Sequence, residues 1–216
     1  LAINHSSSQH PWFLEFKEAR AKGDTENPYY DYYSCVTEAE KVGGRTYQKI
    51  AGVDCWFECN FSSEMPELNY DNPEVRQAML DVAKYYLDLG VDGFRFDAVK
   101  YIYYGDTEQS VAFWEWYMEE LRKIDPDIYV VGECWSGESE ILAYYGAMNC
   151  FNFAVSQAEG MMASTAKGNS MSKYTSYMAN YQKKVLEANP EGMVMSFLSN
   201  HDMDRISGAF ILENNM

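Results

Sequence analysis

The chain has 216 residues, of which 47% are hydrophobic and 23% charged, and 33 acidic against 17 basic residues give a net charge of −16. A chain of this length can bury a full hydrophobic core, whereas its charge argues against nucleic acid or an anionic membrane as a partner. No apolar run approaches the roughly 18 residues that span a bilayer, so we predict no membrane segment.

Residues 6–70 lack a long periodic run of apolar side chains and are rich in Tyr, Asn, Asp, Gly and Ser. Prolines at positions 11, 28 and 66 further oppose long regular elements. We therefore predict an irregular insertion between a strand and its helix. In a barrel, such an insertion lies at the C-terminal face, over the active site.

The segments after the insertion alternate between helical and β-prone patterns. Helices are predicted over residues 73–89, 107–123 and 172–188, and strands over 91–96, 128–132, 193–198 and, more weakly, 149–155. The first helix has Asn72 as N-cap, Pro73 at its first position and Gly90 at its end. This succession implies parallel strands joined by right-handed crossovers. The predicted fold class is α/β, and the rhythm fits a (β/α)8 barrel.

Five cysteines cannot all pair within one chain, and the spacing of Cys55 and Cys59 lacks the second pair of ligands that a zinc site needs. We expect buried or half-buried free thiols, which favour a reducing or anaerobic setting. The cytoplasm is therefore slightly favoured, while an extracellular or cell-surface location stays open.

Charged residues end three of the predicted strands. Arg95 and Asp97 close the first and, being two apart, point to the same side of the strand. Glu133 ends the second, and His201 and Asp202 end the third. In a parallel barrel these ends converge on the face where catalysis takes place.

Two converging carboxylates beside a guanidinium match the chemistry of retaining glycoside hydrolysis. Arg95 favours the ionised form of Asp97, while a more apolar setting beside Trp135 would raise the pKa of Glu133 and let it donate a proton. Asp202 would accept substrate hydroxyls and stabilise the positive transition state.

At these residues the sequence strongly resembles the α-amylase family, glycoside hydrolase family 13. The family's characteristic blocks appear in order as Ile3–His5, Met65–Asn69, Gly93–Lys100, Val131–Trp135 and Leu198–Asp202. The segments His10–Phe13 and Asn27–Tyr33 resemble the entry to the B domain of this family, above all in members that act on oligosaccharides.

The resemblance implies Asp97 as nucleophile, oriented by Arg95, with Glu133 as general acid/base and Asp202 as transition-state stabiliser. It further implies that His5 and His201 bind the glucose next to the scissile bond and that Lys100 faces the leaving group. Asn4 matches a residue that often ligates a structural calcium, although the usual companion acid is not evident here. No organic cofactor is implied.

The resemblance also divides the chain into parts of a (β/α)8 barrel. Residues 1–5 would end strand 3, residues 6–70 would form a B-domain-like insertion, and residues 71–216 would supply the βα units up to strand 7. Because strands 1, 2 and 8 have no counterpart, we expect an internal fragment of the catalytic barrel. Unpaired strand edges would leave it unstable and poorly active on its own.

The implied activity is hydrolysis of α-1,4-glucosidic bonds in starch or maltooligosaccharides. Ala98 resembles α-1,4-acting members, since oligo-1,6-glucosidases usually carry Val there, whereas Tyr101 departs from the Lys-His pair of many α-amylases. An oligo-1,6-glucosidase, a neopullulanase or a transglycosylase is the alternative. A non-catalytic relative is more distant, because all three acids are present.

Overall fold

The computed structural model describes residues 1–205. Residues 206–216, the end of the predicted barrel segment 71–216, lie outside the described residues. The chain forms two compact units, Leu1–Ile128 and Tyr129–Met216. Within the described part of the chain, none of the helices has the length and apolar character that a bilayer crossing requires.

The first unit opens with helix α1 (Pro11–Lys22). His10 caps it, because its Nδ1 accepts a hydrogen bond from the Trp12 N–H at 3.2 Å, and Gly23, with a φ of +67°, ends it in a left-handed turn. This helix lies inside the segment predicted to be irregular, so that prediction is wrong here. Its buried stripe is narrow, which explains the weak periodicity; it consists of Phe13, Phe16 and Ala19.

A small antiparallel sheet follows, formed by β1 (Cys35–Val36), β2 (Tyr47–Lys49) and β3 (Trp56–Glu58), with β3 in the centre. A disulfide joins Cys35 to Cys55 beside this sheet, so the expectation of free thiols is wrong for this pair. The other three cysteines lie outside this disulfide and are buried, as expected for thiols: Cys59, Cys134 and Cys150. The localisation stays a prediction.

The rest of the first unit comprises α2 (Pro73–Asp88), β4 (Gly93–Phe96) and α3 (Thr107–Ile124), as the sequence predicts to within a residue or two. The Asn72 side chain caps α2 by accepting from the Glu74 N–H at 2.9 Å. Helices α2 and α3 pack together, and the buried Tyr117 hydroxyl donates a 2.7 Å hydrogen bond to the Met79 carbonyl between them.

Replacing Tyr117 by Phe is expected to lower the free energy of unfolding by about 1 kcal/mol, because it removes this buried hydrogen bond and keeps the ring. Urea unfolding of the protein expressed from its complete open reading frame measures the change. Tyr85→Phe is the matched control, since Tyr85 is 60% exposed. Equal stability of the two variants would show that the Tyr117 hydroxyl contributes nothing.

The second unit contains β5 (Tyr129–Gly132), α4 (Glu138–Ala143), β6 (Asn149–Cys150), α5 (Met161–Ala166) and α6 (Met171–Ala188). Strands β5 and β6 pair in parallel, with Gly132 opposite Cys150. The strand predicted at 128–132 and the helix at 172–188 are confirmed, while the weaker run at 149–155 forms a strand over two residues only.

The strand predicted over residues 193–198 is wrong. Within the second unit Met195 forms an isolated parallel bridge to Phe151, and the ends of the run are exposed, with Met193 at 49% and Leu198 at 37%. An apolar run forms a strand when neighbouring segments satisfy its backbone in a continuous ladder. Among the described residues of this unit, the ladder along residues 193–198 consists of the Met195–Phe151 bridge alone, so no strand forms.

Candidate active site

Arg95 lies on strand β4, and Asp97 directly follows the strand. Phe94 and Phe96 alternate with them and are buried, as the two-residue period of a strand requires. The Arg95 Nη1 donates a hydrogen bond to Asp97 Oδ1 in an ion pair. Both side chains are 32% exposed, so an oriented carboxylate lies within reach of a ligand.

The backbone turns sharply after Asp97. Ala98 has a φ of +47°, in the left-handed region that non-glycine residues seldom adopt, and a short 3₁₀ helix, Val99–Tyr101, follows. The indole N–H of Trp114 donates to the Val99 carbonyl at 2.8 Å and holds this turn. Strained backbone beside a polar side chain is frequent at functional sites.

His5 lies close to Asp97 in the same unit. Burial lowers its pKa, and the Asp97 carboxylate opposes this shift, so His5 is neutral at pH 7. Its Nδ1 is buried and has no hydrogen-bond partner among residues 1–205. A neutral imidazole next to a carboxylate can exchange hydrogen bonds with a ligand hydroxyl.

Lys100 is half-buried on the 3₁₀ helix that follows Asp97. Its Nζ lies 5.7 Å from the centre of the Tyr101 ring, within the range of a cation–π contact. The 3₁₀ helix therefore places the Lys100 ammonium group next to the Tyr101 ring.

Asn4 precedes His5 in the chain and forms a buried pair with Glu67, with the Asn4 Nδ2 donating to Glu67 Oε2 at 3.0 Å. Asn60 donates to the other oxygen of Glu67, from its backbone at 3.3 Å. Burial raises the pKa of Glu67 to about 8. Glu67 lies in the Met65–Asn69 block, but no feature of the sequence alone indicated a role for it.

Calcium binds six to eight oxygen atoms, and the arrangement around Asn4 does not provide them. Asn4 Oδ1 is buried without a partner among the described residues and is a suitable oxygen. Both oxygens of Glu67, however, already accept hydrogen bonds from amides, and residues 1–205 contain no cluster of three His, Cys, Asp or Glu side chains able to hold a metal. The described residues do not fit a calcium ion.

Glu133 directly follows β5 in the second unit and is 7% exposed. Trp135 follows it two residues later, 40% exposed, with its ring stacked on Phe153 at 5.0 Å. Strand β5 therefore ends in a deeply buried carboxyl group, and its role as proton donor stays a prediction.

His201 and Asp202 are neighbours on an exposed turn of the same unit, with side chains 73% and 48% exposed. The His201 Nε2 lies 3.2 Å from Asp202 Oδ2, and the Asp202 N–H donates to Asn200 Oδ1 at 3.0 Å. The structure thus brings these two residues together on a turn, whereas the sequence predicted the end of a strand.

The predicted site residues fall into two groups, one in each unit. The first unit holds Asn4, His5, Arg95, Asp97 and Lys100, and the second holds Glu133, His201 and Asp202. The distance between Asp97 and Glu133 that hydrolysis requires stays a prediction.

Comparisons with known proteins give consistent matches. A sequence model of the family described as "Alpha amylase, catalytic domain" matches residues 1–215. Alpha-amylase 3 of Dictyoglomus thermophilum is 37% identical over 212 residues, covering 97% of this chain and 40% of that protein. Further matches are named oligo-1,6-glucosidase, trehalose synthase and 4-alpha-glucanotransferase. The chain spans less than half the length of these curated relatives.

Solved structures are similar as well. Eubacterium rectale Amy13B superposes with a TM-score of 0.85 at 29% identity, over 96% of this chain and 42% of that one. The α-amylase from H. orenii gives a TM-score of 0.77 at 30% identity, over 99% of this chain and 44% of that one.

Proposed function

The chain belongs to the α-amylase family of glycoside hydrolases and transferases, and from that premise we propose that it supplies the catalytic residues of a retaining α-glucan hydrolase. The family's members are enzymes that generally need no organic cofactor. The substrate is an α-1,4-linked glucan, either starch or a maltooligosaccharide. The reaction passes through a covalent glycosyl-enzyme intermediate.

The observation that carries this proposal is the Arg95–Asp97 pair at the end of β4, with neutral His5 beside it. The guanidinium donates a hydrogen bond to the carboxylate and fixes its direction, as a nucleophile requires. His5 is placed to hydrogen-bond a hydroxyl of the sugar that Asp97 attacks. If the pair only stabilised the end of the strand, its side chains would not need to be accessible to a ligand.

In the first step an Asp97 oxygen forms a bond to the anomeric carbon while the glycosidic C–O bond breaks. Glu133 gives its proton to the departing oxygen, which leaves as the free chain end. In the second step Glu133 takes a proton from water, whose oxygen displaces Asp97 from the anomeric carbon. Two displacements at one carbon retain its configuration.

The remaining predicted residues have supporting roles in this proposal. Asp202 and His201 hold hydroxyls of the same glucose, and Asp202 stabilises the positive charge that develops in the transition state. Lys100 faces the leaving group. The proposal requires Asp97 and Glu133 to lie roughly 5–5.5 Å apart, as retaining enzymes place them.

The family implies a (β/α)8 barrel for the catalytic domain, and we assign this chain the end of strand 3 through strand 7. Residues 1–5 and 71–216 are its barrel parts, and residues 6–70 are the insertion. The small sheet with its Cys35–Cys55 disulfide gives that insertion a fixed core of its own.

Ala98 supports α-1,4 rather than α-1,6 specificity. The resemblance associates Ala at this position with α-1,4-acting members. Its φ of +47° also disfavours a β-branched residue such as Val, whose two γ substituents crowd the left-handed backbone.

Product analysis tests this function on the protein expressed from its complete open reading frame. Maltoheptaose should be cut into shorter maltooligosaccharides, while isomaltose should remain intact because its only linkage is α-1,6. Pullulan provides both linkages in one chain. Cleavage of isomaltose would favour an oligo-1,6-glucosidase, cleavage of the α-1,4 bonds of pullulan a neopullulanase, and products longer than maltoheptaose a transglycosylase.

A further inference from the structure

A row of aromatic rings leads away from His5 within the first unit. The Phe61 ring lies 5.9 Å from the His5 ring, the Tyr101 ring lies 4.4 Å from Phe61, and Tyr104 stacks on Tyr101 at 4.4 Å and nearly parallel. Phe61 is 46% exposed, and both tyrosines are half-buried. The row therefore forms a partly exposed aromatic surface that begins at the proposed sugar-binding histidine.

The local backbone explains the stacking of Tyr101 on Tyr104. A 3₁₀ helix and a turn carry these residues, and side chains three apart eclipse one another in 3₁₀ geometry. Tyr103, between them, instead donates a 2.9 Å hydrogen bond to Asp71. Tyr103 thus anchors the turn to the scaffold, while the Tyr104 phenol makes no hydrogen bond to the described residues.

The far end of the row opens into a pocket of about 230 Å³. Tyr104 and Gly105 form one wall, and the turn Val42–Arg45 of the insertion forms the other. A Cβ built on Gly43, Gly44 or Gly105 would meet no atom within 4 Å. The peptide groups of these glycines therefore border open space, where a ligand can approach the backbone closely.

Arg45 supplies a fixed polar group at the pocket. Its Nη1 donates to Glu58 Oε2 at 3.0 Å, and Glu58 is buried at 6% exposure. This buried partner orients the guanidinium, which has further N–H donors beyond the one it gives to Glu58.

We infer that Tyr104, Arg45 and the glycine turn form an additional subsite for one glucosyl unit of a bound α-glucan chain, away from the bond that is cut. A pyranose ring has an apolar face that packs on an aromatic ring, and hydroxyls around its rim that bind guanidinium and peptide groups. The aromatic row connects this pocket to His5. The inference rests on the proposed function, because it assumes an α-glucan bound at Asp97.

The test compares long and short substrates in the protein expressed from its complete open reading frame. Tyr104→Ala should lower kcat/KM on maltoheptaose about tenfold relative to its value on maltotriose, the loss expected for one aromatic contact of about 1.4 kcal/mol. Tyr104→Phe keeps the ring and should keep the preference for the longer chain. Gly43→Leu should reproduce the loss by narrowing the pocket while the stack stays intact.

An equal loss on both substrates, or no loss on either, would overturn the subsite and leave the stack as a brace between two loops. Retention of the preference in Gly43→Leu would likewise contradict it. If the wild-type protein hydrolyses neither substrate, the proposed function fails instead. Titration of maltoheptaose into Glu133→Gln, with and without Tyr104→Ala, measures the same contact without turnover, and equal affinities would contradict the inference.

Discussion

Replacing Asp97 by Asn is expected to lower kcat on maltoheptaose by on the order of 10⁴-fold or more, the scale seen when a catalytic nucleophile is removed. An amide has almost the shape of the carboxylate but lacks its charge, so it attacks the anomeric carbon poorly. Arg95 also loses its ionic partner. Initial rates at saturating substrate, measured on the protein from the complete open reading frame, give the result.

The matched control is Asp92→Asn, which makes the same chemical change at an exposed position just before β4. It should leave kcat unchanged, and both variants should retain a cooperative thermal transition. Near wild-type turnover of Asp97→Asn would remove Asp97 from the nucleophile's role. Loss of its cooperative transition would instead attribute the effect to folding.

Replacing Glu133 by Gln is expected to lower kcat on maltoheptaose by about 10²–10⁴-fold, the usual contribution of a general acid/base. The loss should be much smaller for the first turnover of an α-maltosyl fluoride, because fluoride departs without being protonated. Rapid-mixing measurements of fluoride release separate the two steps. The pattern differs from that of Asp97→Asn, which blocks bond cleavage with either leaving group.

Glu191→Gln, an exposed glutamate of the same unit, is the control and should behave as wild type. An equal loss of activity on maltoheptaose and on the fluoride in Glu133→Gln would contradict the role of Glu133 as general acid. Such a result would mean that Glu133 orients the substrate or supports the fold and does not donate the proton.

The sequence predicted the long helices well because each has its own local signals. Helix α2 shows a proline at its start, a glycine after its end and a wide apolar face. Helix α1 has the same terminal residues, Pro11 and Gly23, but a narrow buried stripe, and periodicity alone missed it. These two terminal residues, Pro11 and Gly23, would have predicted helix α1.

Features that depend on distant partners were not predictable in the same way. Whether residues 193–198 form a strand depends on neighbours that complete a ladder, which composition does not report. The pairing of Cys35 with Cys55 depends on the small sheet that brings them together. Five cysteines allow many pairings, and their count could not distinguish this one.

The candidate site also combines features that local sequence predicts with features that depend on distant partners. The two-residue spacing of Arg95 and Asp97 predicted their shared side, and the structure pairs them. The Asn4–Glu67 pair joins two separate blocks of the sequence, and the aromatic row to Tyr104 joins residues that are also far apart in the chain. Short motifs on one strand are visible in the sequence, whereas contacts between the insertion and the residues after β4 emerge only from the fold.

Trapping of the glycosyl-enzyme tests the central claim most directly. Glu133→Gln, incubated with α-maltotriosyl fluoride, should form the covalent intermediate and hydrolyse it slowly, because no general base activates water. Peptide mass spectrometry should then find one maltotriosyl group esterified to Asp97. A glycosyl group on another residue, or complete turnover to the β-anomer without any adduct, would contradict the account.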